Sequence, residues 1–208
     1  MKFFDDGKPR WYFILLMIIL LFGVDQVSKH FASKILTQGI SYKFGGFGVK
    51  YITHQKFYFF KLIVFDDPGK IISSIVVSVV LLCILLVYRF LMLHFPQRRM
   101  FTWAFIFCFG GLFSNLVDNI HLGYARDFIV FWKLGITNFA DIFYWVGLAL
   151  FLLCLMSNPQ TRKKLNRLSG SDVKIFLKFS LDELKNLISF LKKLFAKITK
   201  RNSHFTKT

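Results

Sequence analysis

Acidic side chains are scarce in this chain. Against 28 lysines and arginines stand 11 aspartates and glutamates, and Glu183 is the only glutamate. Each aspartate in or beside an apolar run is therefore worth examining. Cysteine is scarcer still. Cys83, Cys108 and Cys154 each lie inside an apolar run, without the spacing of a metal knuckle or a disulfide framework. They read as small apolar packing residues. Zinc-finger spacing is also missing, as is any separate soluble stretch large enough to present a basic groove. The net charge of +17 thus does not point to nucleic acid. Thirteen of the basic residues follow residue 160, in a tail suited to anionic lipid headgroups.

What the chain has in quantity is apolar surface. Hydrophobic residues make up 55% of the 208, with 28 phenylalanines, and mean hydropathy is +0.51. Four apolar blocks emerge. The first is Trp11 to Val24, extended by the mixed stretch Asp25 to Leu36. The second is Ile71 to Tyr88 and the third Met100 to Val117, both free of charge. The fourth, from about Ile136 to Met156, carries one charge, Asp141. A hydrocarbon core of ~30 Å needs about 20 helical residues at 1.5 Å each, which the last three approach or reach. The first block resembles a signal peptide, with Lys8 and Arg10 as a basic leader. It lacks a small-x-small cleavage site and runs into a charged helical stretch, so it is expected to stay as a span.

Four spans place both termini on one side. Lys8, Arg10, Arg98, Arg99 and the Arg162-Lys163-Lys164 run argue that this side is the cytoplasm. Six lysines between Lys34 and Lys70 would then lie outside, against the trend. That outer connector, residues 37–70, is rich in Phe, Tyr, Val and Ile from Tyr42 to Val64, with Gly45, Gly46 and Gly48 as turn signals. It predicts a few short strands on the membrane surface, closed by an Asp66-Asp67-Pro68-Gly69 turn. The fold class is therefore an all-α membrane protein: four transmembrane helices, a small extracytoplasmic β-cradle and a C-terminal amphipathic helix. Residues 1–157 form the core and 158–208 a basic tail. Ser180 and Glu183 suggest a capping box opening a helix over about 180–200. Its apolar residues recur at 181, 184, 187, 188, 191, 194, 195 and 198, with lysines between them. Such a helix suits the inner membrane surface; a partner protein is the competing reading.

Ionisable groups at membrane depth mark function by default, because desolvating them is costly. Asp25 and Lys29 stand four apart, so they can pair on one helix face as a structural ion pair. Asn115 and Asp118 share a face at the outer end of span three, and Asn138 and Asp141 repeat that spacing on span four. Asp127 lies in the connector between them. Antiparallel spans bring all five to one depth. Carboxylates held together do not both ionise easily, which leaves an acid and a base in one site, and asparagine amides can orient them. No Ser-Lys or Cys-His arrangement competes. A proton pathway is the alternative from physics alone, though the acids cluster at one surface and none lies mid-span.

The same residues resemble the lipoprotein signal peptidase (signal peptidase II) family. Asp25-Gln26-Val27-Ser28-Lys29 is similar to its D-Q-x-x-K motif. Gly110-Gly111 through Asn115 to Asp118, then Gly123-Tyr124 and Asp127-Phe128, resembles its G-G-x-x-x-N-x-x-D-R and G-x-x-x-D-F segments. Asn138-Phe139-Ala140-Asp141 is similar to its N-x-A-D motif. The resemblance implies that Asp127 and Asp141 are the catalytic pair and that Asn115, Asp118 and Asn138 support them. It implies that Asp25 and Lys29 shape the substrate pocket. It also implies prolipoprotein substrates, cleavage before the lipid-modified cysteine, no metal or organic cofactor, and a bacterial inner-membrane location. A catalytically silent paralogue that binds lipoproteins or signal peptides is the alternative.

Three departures accompany the likeness. The family's D-R reads Asp118-Asn119, so a guanidinium is lost from the substrate-binding set. Its small-residue N-x-G-x-A-F segment reads His54-Gln55-Lys56-Phe57-Tyr58-Phe59. The stretch between Asp127 and Asp141 is short. On this reading, Asn119→Arg is expected to improve handling of conventional prolipoproteins.

Overall fold

The computed structural model describes residues 4–5, 8–36, 41–54, 57–59, 63–65, 69–95, 98–131, 135–157, 159, 163 and 170–205. It divides into two units, residues 1–158 and 159–208. The first contains four helices long and apolar enough to cross a membrane. They are α1 (Trp11–Ile35), α2 (Gly69–His94), α3 (Arg98–Leu122) and α4 (Phe139–Ser157). Leu16, Ile19, Val27, Ile75, Val79 and Leu153 point their side chains outward. Such a surface matches lipid, because lipid tails impose no cost on exposed apolar side chains.

Helix α3 is the centre of the bundle, packed against α1, α2 and α4, with half of its apolar span buried. Two glycines let α4 approach it closely. A Cβ on Gly111 would meet the Ala140 carbonyl and lie 2.9 Å from Tyr144 N; one on Gly147 would lie 2.8 Å from the Ala104 carbonyl. Backbones this near bring the C-terminal half of α3 and the N-terminal end of α4, with their polar residues, into direct contact. Farther along, Tyr88 stacks on Phe105 at 4.2 Å, within a core that includes Phe13 and Ile106.

The strands differ from expectation in one respect that matters. The outer connector supplies β3 (Ser41–Phe44), β4 (Phe47–His54), β5 (Phe57–Phe59) and β6 (Ile63–Phe65); the chain also begins with a two-residue pair, β1 (Phe4–Asp5) and β2 (Lys8–Pro9). Yet the main sheet runs β3-β4-β7-β8, and its last two strands come from the stretch between α3 and α4. These are β7 (Ala125–Phe131) and β8 (Gly135–Thr137), all pairs antiparallel. Gly123, at φ +82°, closes α3 in the left-handed conformation, and its N–H donates to the Asn119 carbonyl at 3.1 Å. That turn sends the chain back along β4, where Phe47 and Phe131 face each other at 5.2 Å. Fourth-span residues Ile136 and Thr137 are thus strand, and the helix starts only at Phe139. The Asp66-Asp67-Pro68 part of the expected turn, and Gln55 and Lys56 of the departing segment, lie outside the described residues; Phe57–Phe59 form β5.

The second unit holds α5 (Gly170–Phe205). It begins ten residues before Ser180, so Ser180 and Glu183 do not cap it. The apolar spacing of Val173, Phe176, Leu177 and Leu181 carries the helical repeat upstream through them. Leu177, Leu181, Leu187, Ile188 and Phe190 are exposed.

Candidate active site

Four elements converge on one polar cluster where the C-terminal parts of α1 and α3 meet the N-terminal end of α4 and the strand β7. Asp127 comes from β7 and is 7% exposed. Asp141 comes from the first turn of α4. Between them stands Asn138, fully buried, with a divided amide. Its Nδ2 donates to Asp127 Oδ1 at 2.6 Å, while its Oδ1 accepts the Asp141 backbone N–H at 2.9 Å. The second bond is an N-cap, satisfying an amide that the helix cannot pair internally. One residue therefore starts α4 and ties the two aspartates together.

Asp141 accepts on both oxygens. Asn115 Nδ2 donates to Oδ1 at 2.8 Å, and Thr137 Oγ1 to Oδ2 at 2.9 Å. Asn115 is oriented in turn by Lys29, whose ammonium donates to its Oδ1 at 2.8 Å. An ammonium has no acceptor, so this bond fixes which end of the amide faces Asp141. Lys29 is wholly buried and also pairs with Asp25 at 2.6 Å and Asp118 at 2.9 Å. Asp25, equally buried, accepts the Ala140 N–H of α4 at 2.8 Å and the Ser114 hydroxyl at 2.7 Å. A carboxylate at a helix N-terminus is favoured by the unpaired amides there.

Asp118 carries a second cation. Arg126 Nη2 lies 2.6 Å from its Oδ1 and also donates to Gln26 Oε1 at 2.7 Å. Gln26 Nε2 donates to Asp118 Oδ1 at 3.0 Å and to Ser114 Oγ at 3.0 Å.

Asp127 lies outside the spans, and its acidity is strongly displaced. Burial, and then the neighbouring Asp141 carboxylate, push its carboxyl up to about 7, against opposing effects of Lys29 and the Asn138 bond. The site can therefore hold one protonated and one ionised carboxyl near neutral pH.

A family model described as signal peptidase (SPase) II matches residues 17–157. This chain belongs to the signal peptidase II family. Lipoprotein signal peptidases of Brucella ovis and Brucella canis are each 25% identical to it over 143 residues, covering 67% of this chain and 86% of theirs. Two solved structures of a bacterial membrane enzyme, obtained by the in meso method, share its fold. Each aligns with TM-score 0.58 and 18% identity, covering 74% and 72% of this chain and 99% and 91% of theirs. Family membership and the four apolar helices make this a multi-pass protein of the bacterial inner membrane. The family match ends before α5 begins.

The cluster gathers Asp25, Lys29, Asn115, Asp118, Asp127, Asn138 and Asp141, all expected from the sequence of this signal peptidase II family member. Asp25 and Lys29 have no exposure, and their bonds run to Asn115, Asp118, Ser114 and the Ala140 amide. Asn119 is 6% exposed, and a guanidinium already serves Asp118 from Arg126. That ion pair serves Asp118 and not a substrate, so the expectation for Asn119→Arg, which concerned bonds to substrate, is unaffected by it. Sequence reasoning missed Arg126, Gln26, Ser114 and Thr137 as members of the site. Adjacency to Asp127 and Asn138 was the available signal for Arg126 and Thr137. Ser114 stands beside Asn115 and four residues before Asp118 on the same helix face, which was its signal.

Proposed function

We propose that this chain is an aspartic endopeptidase that removes signal peptides from diacylglyceryl-modified prolipoproteins, cleaving before the lipidated cysteine. The observation that carries the reading is the joining of two aspartates through one amide, which bonds the Asp127 carboxyl and the Asp141 backbone N–H, with Asp127 displaced to about 7. Asp141, with donors on both oxygens, acts as the base; Asp127 acts as the acid. Asp141 takes a proton from water as the water oxygen bonds to the scissile carbonyl carbon. Asp127 gives its proton to the carbonyl oxygen, producing a gem-diol. In collapse, Asp141 returns its proton to the leaving nitrogen, Asp127 recovers one from a hydroxyl, and the C–N bond breaks. The products are a carboxylic acid and a free amine, with both aspartates restored. Incubation of the purified chain with a diacylated prolipoprotein peptide tests this directly. Intact peptide after prolonged incubation would favour the silent paralogue.

The acidity of Asp127 gives a pH expectation. Its protonated form predominates below about 7 and falls roughly tenfold per pH unit above. kcat/KM is therefore expected to decline on the alkaline side with a midpoint near neutrality, and to fall again in acid once the pair holds two protons. The same displacement has a stability consequence. Because the folded pKa lies above that of a free carboxyl, the folded chain binds more protons between about 4 and 7. The contribution is complete below that window and lost as pH rises through it. A flat rate profile from pH 6 to 9 would exclude Asp127 as the acid.

The termini are assigned to the cytoplasm and the sheet to the outside. The α5 tail, with exposed leucines and interspersed lysines, is assigned to anionic lipid at the inner surface. Deleting residues 171–208 is expected to leave peptidase activity intact and to weaken binding to phosphatidylglycerol vesicles by ~1 kcal/mol per nearby lysine. Labelling of a cysteine placed at Ser203 from outside intact cells would overturn the orientation. Total loss of activity in a stably expressed truncation would make the tail part of the working enzyme.

A further inference from the structure

The sheet holds the Asp127 end of β7 weakly. β8 pairs only with Ile129, Val130 and Phe131, so Ala125, Arg126 and Asp127 have β4 as their strand neighbour among the described residues. That ladder is itself irregular. Val49 faces Ile129 and Ile52 faces Asp127, leaving Lys50 and Tyr51 opposite Phe128 alone. A bulge of this kind breaks the backbone bonds and turns the strand. Pairing alone leaves the depth of Asp127 under-determined, and a misplacement of about 1 Å at a reacting group can cost on the order of a hundredfold in rate.

Arg126 supplies a restraint from outside the sheet. As the neighbour of Asp127 in an extended strand, it sends its side chain to the other face. There its guanidinium, 14% exposed, reaches two helices. Nη2 donates to Asp118 Oδ1 on α3 at 2.6 Å and to Gln26 Oε1 on α1 at 2.7 Å, with Nε 3.5 Å from Asp118 Oδ2. From α4, Asn138 Nδ2 approaches the Arg126 carbonyl at 3.3 Å and holds Asp127 Oδ1 at 2.6 Å. The Arg126-Asp127 step is held by side chains from α1, from α3 and from the residue that caps α4.

We propose that Arg126 is a positioning residue: a guanidinium strut that bolts β7 to α1 and α3 and so fixes Asp127 against Asp141. Its kinetic consequence rests on the peptidase reading; its mechanical one does not. The planar fork engages acceptors on two helices at once, which the single ammonium of lysine does less well.

Arg126→Met and Arg126→Lys in the full chain, reconstituted in nanodiscs, test the strut by kinetics and by hydrogen exchange. In Arg126→Met, kcat on a diacylated prolipoprotein peptide is expected to fall about ten- to a hundredfold with KM held within about threefold. Arg126→Lys should recover part of that loss. Amides of residues 125–131 should exchange faster in Arg126→Met while those in the middle of α3 stay protected. Unchanged exchange in β7, or unchanged kcat, overturns the proposal. So does a raised KM at constant kcat, which would make Arg126 a substrate anchor. If Arg126→Met also loses α3 protection, Arg126→Lys decides by the same two measurements. If the unsubstituted chain cleaves nothing, the peptidase reading fails by itself, and hydrogen exchange still decides the strut.

Discussion

Asp127→Asn and Asp141→Asn are each expected to lower turnover of a diacylated prolipoprotein peptide by about 10²–10⁴-fold, the usual worth of a general acid or base. Neither should unfold the protein. An asparagine at 127 keeps an oxygen for the Asn138 Nδ2 that now reaches Asp127 Oδ1. At 141 the new amide can accept from Asn115 and donate to the Thr137 hydroxyl, which serves as donor or acceptor. The two losses should not add. The aspartates pass protons within one cycle, so either alone is nearly idle, and the double variant should match the worse single one. Steady-state assays at matched expression and thermal midpoint check this. Near-normal turnover by either single variant would remove the aspartyl mechanism.

Lys29→Met is the substitution expected to damage the fold most. Lys29 is the buried cation between Asp25 and Asp118 and the group that orients Asn115. Removing one partner from a buried ion pair costs about 3–5 kcal/mol, because the remaining charge stays desolvated and unmatched. Arg126 still serves Asp118, but Asp25 would keep, among the described residues, the Ser114 hydroxyl and the Ala140 amide as donors. A large fall in thermal midpoint and near-complete loss of activity are expected. Combining Lys29→Met with Asp25→Asn should restore part of the midpoint, since the unpaired charge is then removed as well. Activity should stay low, because the Asn115 amide loses the Lys29 bond and keeps only the longer 3.3 Å one from Asn138 to hold it toward Asp141. A Lys29→Met variant that melts with the parent would show that the network is not built around this cation.

Much of the bundle was legible because a bilayer demands long apolar runs of nearly fixed length, and such runs need no partner to be recognised. The N-x-x-D spacing on α3 and α4 was legible for a similar reason: residues three apart share a helix face wherever the helix sits. The strands β7 and β8 were not. Arg126 and Asp127 interrupt the apolar pattern of β7 and β8 is three residues long, so neither carries a signal apart from the β4 edge that receives them. The start of α5 was misread because a capping pair is local and the amphipathic repeat simply runs through it.

The sequence by itself determined the membrane class and the number of spans, which are written in composition and block length along one chain. Its motifs carried the family likeness, and it is that likeness, not spacing, that singles out Asp127 and Asp141 among the clustered carboxylates. Tertiary structure decided the rest. It divided Asn138 between helix cap and a bond to Asp127, put Asp25 on the Ala140 amide of α4, and joined the buried Lys29 to Asn115. It also brought the Arg126 guanidinium of β7 onto Asp118. Those outcomes depend on which helix ends meet and at what depth. Close approach at Gly111 and Gly147 and the reversal at Gly123 set that depth, and only the folded chain brings them together.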